Sequence, residues 1–366
     1  MTITAITSPA PIKVLIPRLP EAAALLPYLQ RIDANRTYSN YGPLNREFVA
    51  RLSALTGAKG VTLTSNGTTA IELALRSRAT PGKRNCLMPS YTFIASAHAV
   101  CNAGLTPYLL EVCPDTLALT PEIAEAALAA LPEKPAAVLV VSAFGAPPDL
   151  PAWAAFEAHH GIPVVFDAAA AVTALSDVGK QPACVSLHAT KVLGIGEGGA
   201  ILTSDTELAE RTTAMTGFGF LGAERLATIR GGNYRISEYA AAVGLAALDA
   251  LPARLQALRD LTDAYSQRLE GKAVRLQRGV GDEWVTMTLN VFVPEADVTG
   301  TLERLDAAGI EWRRWWGLGC HRHPAFADVP RADLSGTDKL AARVIGLPFH
   351  DNLTDADLDR IAACLN

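Results

Sequence analysis

Residues Ala183 to Ser204 read ACVSLHATKVLGIGEGGAILTS. An apolar β-type run, Ala183 to Leu187, delivers Ser186, His188, Thr190 and Lys191 to its end, a glycine-dense loop follows, and a second apolar run, Ala200 to Thr203, leaves it. Gly194, Gly196 and Gly199 formally match G-x-G-x-x-G. That dinucleotide fingerprint needs a helix after its glycines, because the helix N-terminus carries the pyrophosphate. Here a β-type run follows, so the context fails. What remains is a lysine at the end of a strand beside a tight turn.

Working outward, the preceding segments alternate strand and helix. Val61 and Leu63 sit in a strand pattern, Ser65-Asn66-Gly67-Thr68 is cap and turn chemistry, and Ala70 to Arg76 is helix former. A strand feeding a Gly/Thr turn into a helix N-terminus can hold an anion through free backbone N–H groups and the helix dipole. Next come a strand Asn85 to Pro89, a Ser90-Tyr91-Thr92-Phe93 turn with a helix, and a strand Thr106 to Val112. A helix Thr120 to Ala130, a strand Ala137 to Ser142, a helix Leu150 to His160 and a strand Pro163 to Phe166 ending in Asp167 complete the series. This alternation predicts an α/β fold with a mostly parallel sheet between helices.

Downstream lie a helix Glu207 to Thr213, a Gly/Phe loop and Arg230-Gly-Gly-Asn-Tyr-Arg235. A small-residue helix Ser237 to Leu251 follows, suited to close helix contact within or between subunits, and then a long amphipathic helix to about Leu269. Residues 275–366 change texture: strands around Trp284 to Val293, a helix Val298 to Ala308, a strand Ile310 to Arg314, the aromatic and basic run Trp312 to Phe326, and a closing helix after Asn352. The expected division is an N-terminal arm and helix (1–35), a large domain (36–255) and a smaller α+β domain (256–366). Residues 1–14 read as a loose arm, and the turn Asn40-Tyr41-Gly42-Pro43 as one that redirects the chain or lines a site.

The 366 residues carry a net charge of −5, with 49% hydrophobic and 19% charged. No run of Lys or Arg exceeds two residues, so neither a nucleic-acid nor an anionic-membrane surface is expected. Six scattered cysteines without CxxC suggest reduced thiols in the cytoplasm. Cys320, His321 and His323 lack a second ligand group at the usual spacing, so no metal is expected. No cationic segment precedes an apolar core at the N-terminus, and no apolar run approaches about 18 residues, so secretion and membrane spanning are not expected.

A lysine that forms a Schiff base with an aldehyde cofactor needs an amine of lowered pKa, an acid for the pyridine nitrogen, an anion site for a phosphate and a platform for the ring. The chain offers Lys191, Asp167, the Gly67/Thr68 helix start with Ser186, and Phe93. Lys191 follows Asp167 by 24 residues.

SNGTTAIELAL, PSYTFIASAHAV, VVFDAAAAV, SLHATKVLGIGEGGAILTSD and GGNYRISEYAAAVGLAAL, in that order, resemble the pyridoxal-phosphate-dependent sugar aminotransferases of the DegT/DnrJ/EryC1/StrS family, which have the aspartate aminotransferase (type I) fold. The resemblance implies pyridoxal 5'-phosphate as cofactor, Lys191 as the Schiff-base lysine and proton shuttle, and Asp167 against the pyridinium nitrogen. It places Phe93 on the ring, Gly67, Thr68 and Ser186 on the phosphate, and Asn233 on the phosphate of the neighbouring subunit in a homodimer. The implied reaction moves an amino group from glutamate onto a keto group of a nucleotide-linked deoxysugar, for polysaccharide or glycoside synthesis. The alternatives are a non-nucleotide ketone of aminocyclitol type and a non-catalytic member that binds the cofactor as a regulator or scaffold. Tyr41, Arg313, Trp315 and His321 are the candidate substrate-side residues. Two positions depart from the family pattern: Ala170, where Gln or His is common, and Ser142, where His often precedes the Phe/Tyr-Gly pair. Relatives that carry His in place of the lysine dehydrate sugars, and Lys191 argues against that branch.

Overall fold

The computed structural model describes residues 10–222 and 225–366. The first nine residues of the expected arm lie outside them. After α1 (Ala22–Asn35) and α2 (Pro43–Thr56), the chain builds β1 (Gly60–Thr64), α3 (Gly67–Arg78), β2 (Asn85–Pro89), α4 (Ile94–Asn102), β3 (Thr106–Leu110) and α5 (Pro121–Leu128). There follow β4 (Ala137–Val141), α6 (Leu150–His160), β5 (Val164–Asp167), β6 (Ala183–Ser186), β7 (Gly199–Thr203), α7 (Thr206–Thr216) and α8 (Glu238–Leu269). The C-terminal part contains β8 (Arg275–Leu276), β9 (Leu289–Phe292), α9 (Val298–Ala307), α10 (Ser335–Arg343), β10 (Val344–Leu347) and α11 (Asp355–Ala363).

Strands β1 to β7 form one sheet in the order β1-β7-β6-β5-β4-β2-β3. The five strands from β6 to β3 run parallel, and β7 is antiparallel to both of its neighbours. Alternate residues of each strand enter opposite cores. Val138, Val140, Val164 and Phe166 pack with α2, α6 and α8, whereas Leu139, Val165, Cys184 and Ile201 pack with α3 and α4. Burial on both faces is why these strands read as unbroken apolar runs rather than as alternation. A three-stranded antiparallel sheet, β10-β9-β8, belongs to a third core with the C-terminal half of α8.

Four readings of the sequence change. The two helices expected around Leu251 are one helix of 32 residues containing Pro252. Leu245, Leu248, Leu258 and Tyr265 anchor it on both sides of the proline, which outweighs the lost backbone bond. By length and composition α8 is also apolar enough to cross a membrane, although 44% of its most apolar window is buried inside the protein. Ile310 to Arg314 is not a strand: Ile310 bridges Ile12 and Arg313 bridges Gly346, each as a single isolated pair. The strand expected over Trp284 to Val293 is confined to β9, while α10 and β10 were not anticipated. The described part of the N-terminal arm is not loose. Ile12 and Val14 are buried, and Val14 donates its N–H to Glu311 Oε2 at 3.1 Å.

Candidate active site

The carboxyl ends of β4, β5 and β6 open onto a cavity of about 560 Å³ that holds Lys191, Asp167, Ser186, Gly67, Thr68 and Phe93 together. Open α/β sheets place ligands at this edge because strands end there and helix N-termini begin.

Asp167 closes β5 and is buried at 5% exposure. Ser96 on α4 donates its hydroxyl to Asp167 Oδ2 at 2.6 Å, and the Ala169 N–H donates to Oδ1 at 3.1 Å. Ser96 is itself bonded to the Thr92 hydroxyl at 2.8 Å. Burial pushes the Asp167 carboxyl above its ordinary value, while Ser96, the Ala169 N–H and Lys191 pull it down. Burial likewise pushes Lys191 below its ordinary 10.5, and Asp167 opposes that shift. Both shifts favour neutral forms, so desolvation outweighs the attraction between the two charges.

Lys191 lies in a compact loop. Leu187 N–H bonds to Gly198 O at 2.9 Å, Ala189 N–H to Gly196 O at 2.7 Å, and Lys191 N–H to His188 O at 2.8 Å. His188 Nδ1 pairs with the Thr190 hydroxyl at 2.8 Å, and its Nε2 lies 3.6 Å from Glu197 at the cavity rim. The glycines of the opening stretch thus serve close packing. A Cβ on Gly199 would stand 2.5 Å from Asn66 O, so only glycine lets β7 start against the N-cap of α3.

At that N-cap, Asn66 Oδ1 accepts the Thr69 N–H at 2.8 Å. A Cβ on Gly67 would stand 2.9 Å from Ser186 Cβ, so the helix start and the end of β6 are pressed together. The result is a small cradle bounded by Gly67, Thr68 and Ser186. A buried carboxylate on one side, an amine of lowered pKa, an anion cradle and the exposed face of Phe93 (56% accessible) fit a phosphorylated pyridine aldehyde.

The other expected residues separate. Arg313 and Trp315 line the cavity, and so does Trp316. Tyr41 does not; its hydroxyl bonds to Thr213 O and Thr216 Oγ1, and it lines a different groove with Phe220 and Arg235. His321 is turned inward, with Nε2 bonded to Asp338 Oδ1 at 2.8 Å, and it does not line the cavity. Asn233 is exposed, outside this chain's cavity, with Oδ1 held by Arg235. Ala170 and Ser142 both line the cavity, and the Ser142 hydroxyl has no partner among the described residues. Ser96, Thr92, Leu15 and Thr288 are site residues that sequence reading missed. A serine inside a helix or a leucine in an arm carries no local signal of this kind. Among the described residues no cluster of three metal-ligating side chains occurs.

A sheet of this order with lysine, aspartate and anion cradle at its carboxyl edge defines a pyridoxal-phosphate-dependent aminotransferase. The chain belongs to the DegT/DnrJ/EryC1/StrS aminotransferase family, whose model matches residues 21–366. It is 31% identical to GDP-perosamine synthase of Caulobacter vibrioides, over 90% of this chain and 91% of that protein. It superposes on a putative PLP-dependent aminotransferase from Bacillus cereus with a TM-score of 0.90 at 28% identity, covering 97% and 99% of the two chains. DesI, solved in the presence of its TDP-sugar product, matches with a TM-score of 0.86 at 31% identity, covering 98% and 93%.

Proposed function

We propose that this enzyme transfers an amino group from glutamate to a keto group of a nucleotide-linked deoxysugar, such as a dTDP-4-keto-6-deoxyhexose. The observation that carries the reading is the joint presence of Lys191, Asp167 and the Gly67–Ser186 cradle in one cavity. The likeness to GDP-perosamine synthase and to DesI supports the choice of substrate class.

Pyridoxal phosphate, when bound, supplies an aldehyde that captures amines and a ring that takes up the electron pair left when a proton departs. Gly67, Thr68 and Ser186 hold the phosphate through backbone N–H groups at the start of α3 and a hydroxyl. Asp167, oriented by Ser96 and the Ala169 N–H, keeps a proton on the pyridine nitrogen. Phe93 covers the ring. Lys191 Nζ removes the proton from the carbon that carries the donor's nitrogen and delivers one to the sugar carbon that receives it, a general acid/base role. Arg313 and Trp315 meet the substrate, the former by charge and the latter by its flat apolar face.

We further read the active form as a homodimer in which Asn233 reaches the partner's phosphate. Exposed Phe218, Phe220, Leu221 and Leu226 around that segment suit such a contact. Six unpaired cysteines suit the cytoplasm. Residues 36–255 are taken as the cofactor domain and 256–366 as the substrate-side domain. Polysaccharide or glycoside synthesis is the expected context. Incubation with glutamate and a panel of nucleotide-linked keto sugars, free keto sugars and keto-cyclitols tests the reading. Amination of the nucleotide-linked members alone is expected; amination of cyclitols alone, or of nothing, overturns it.

A further inference from the structure

Among the described residues that line the cavity, Phe144 is the one non-glycine residue with a left-handed backbone, φ 55° and ψ 14°. A bulky aromatic there is strained, and such strain persists only where the surroundings over-determine it. Phe144 lies two residues beyond Ser142, whose N–H donates to Asp167 O at 2.9 Å, so the strained turn continues directly from the strand ends that carry the acid.

What the strain secures is a stack. The Phe144 and Trp316 rings lie 3.9 Å apart between centroids at 16°, and Trp316 meets Tyr91 edge-on at 5.2 Å and 68°. Trp316 rides on a loop fixed at both ends. Arg313 and Gly346 exchange both backbone hydrogen bonds, and Cys320 N–H donates to Ser90 O at 2.7 Å. An aromatic from the large sheet's edge and one from the C-terminal part therefore form a single apolar wall of the catalytic cavity.

We infer that the Phe144–Trp316 stack is a specificity-determining wall that selects sugars whose edge toward it lacks a hydroxyl. A hydroxyl set against ring carbon loses its water without gaining a partner, whereas a methyl or methylene gains contact. Trp316 is the contacting surface, and Phe144 is a positioning residue that acts through it. The inference rests on the reading that the substrate is a nucleotide-linked deoxysugar.

The test compares kcat/KM for a 4-keto-6-deoxyhexose and its 6-hydroxy counterpart on the same nucleotide, in holoenzyme and in Trp316→Leu, Trp316→Phe and Phe144→Asn. Asparagine tolerates the left-handed backbone, so Phe144→Asn relieves strain while removing the ring. The wild type is expected to favour the deoxysugar about 10- to 100-fold. Trp316→Leu and Phe144→Asn are expected to lose most of that preference while retaining cofactor, with the thermal midpoint of Phe144→Asn lowered because the lost packing of a buried ring outweighs the strain relieved. Trp316→Phe keeps it. If Phe144→Asn does not fold, the partly exposed Trp316 decides through its two variants. Preference unchanged in Trp316→Leu, or absent in the wild type, overturns the inference. If the wild type aminates neither sugar, the substrate reading fails and the inference falls with it.

Discussion

The Ser96 hydroxyl donates to Asp167 Oδ2 at 2.6 Å, linking the first turn of α4 to the end of β5. This bond fixes the orientation of a largely buried carboxylate at the floor of the cavity. Replacing Ser96 by Ala removes a charge-assisted donor worth about 1.5 to 3 kcal/mol. Affinity for pyridoxal phosphate should fall by roughly tenfold or more by the same estimate, measured by absorbance titration of the cofactor-free protein, with the fold unchanged by circular dichroism.

Asp167→Asn should uncouple stability from activity. The folded carboxyl is held above its ordinary value of 3.8, chiefly by burial. Its protonated form is therefore favoured by folding, and that contribution is complete below the ordinary carboxylate range and lost as pH rises through the raised value. Cofactor-free wild type should lose stability across that window, and Asp167→Asn should not. Thermal midpoints of both proteins as pH is raised from 3.8 check this, and transamination by the variant should be lost.

Lys191 gives the complementary alkaline signature. Its folded pKa is depressed by burial, so its contribution to stability is present above 10.5 and lost as pH falls through the lower folded value. Capture of pyridoxal phosphate requires the free amine. The capture rate should rise with pH to a midpoint below 10.5, read by stopped-flow absorbance. Lys191→Ala should give no borohydride-fixed adduct at this position by mass spectrometry.

Gly67→Ala and Gly199→Ala should differ in kind. The first sets a methyl 2.9 Å from Ser186 Cβ inside the cradle, and cofactor affinity should drop with little change in melting. The second sets one 2.5 Å from Asn66 O, a backbone atom that cannot swing away, and should destabilise the fold by about 1 to 3 kcal/mol. Urea denaturation of both cofactor-free variants separates the two effects.

These contrasts reflect what a sequence can carry. Lys191, Asp167 and Gly67 were legible because strand ends and helix starts have local patterns, and strands buried on both faces read as apolar runs. Ser96 was not, because its role depends on a carboxylate 71 positions away. Ile310 to Arg314 has the composition of a strand, but its partners, Ile12 and Gly346, lie far along the chain in opposite directions. His321 looked like a substrate group until Asp338 on α10, a helix not foreseen, accounted for its Nε2. A helix end was expected at Leu251, just before Pro252, and only long-range packing carries α8 through the proline.

The most direct measurement follows nitrogen. The enzyme is loaded with pyridoxal phosphate, given glutamate labelled with heavy nitrogen and a nucleotide-linked 4-keto-6-deoxyhexose, and the sugar product is weighed by mass spectrometry. The expected result is an amino sugar carrying the label, with 2-oxoglutarate in equal amount, and neither product from Lys191→Ala. An unlabelled sugar, or labelled product formed by Lys191→Ala at the wild-type rate, would contradict the assignment of this cavity as the site of amino transfer.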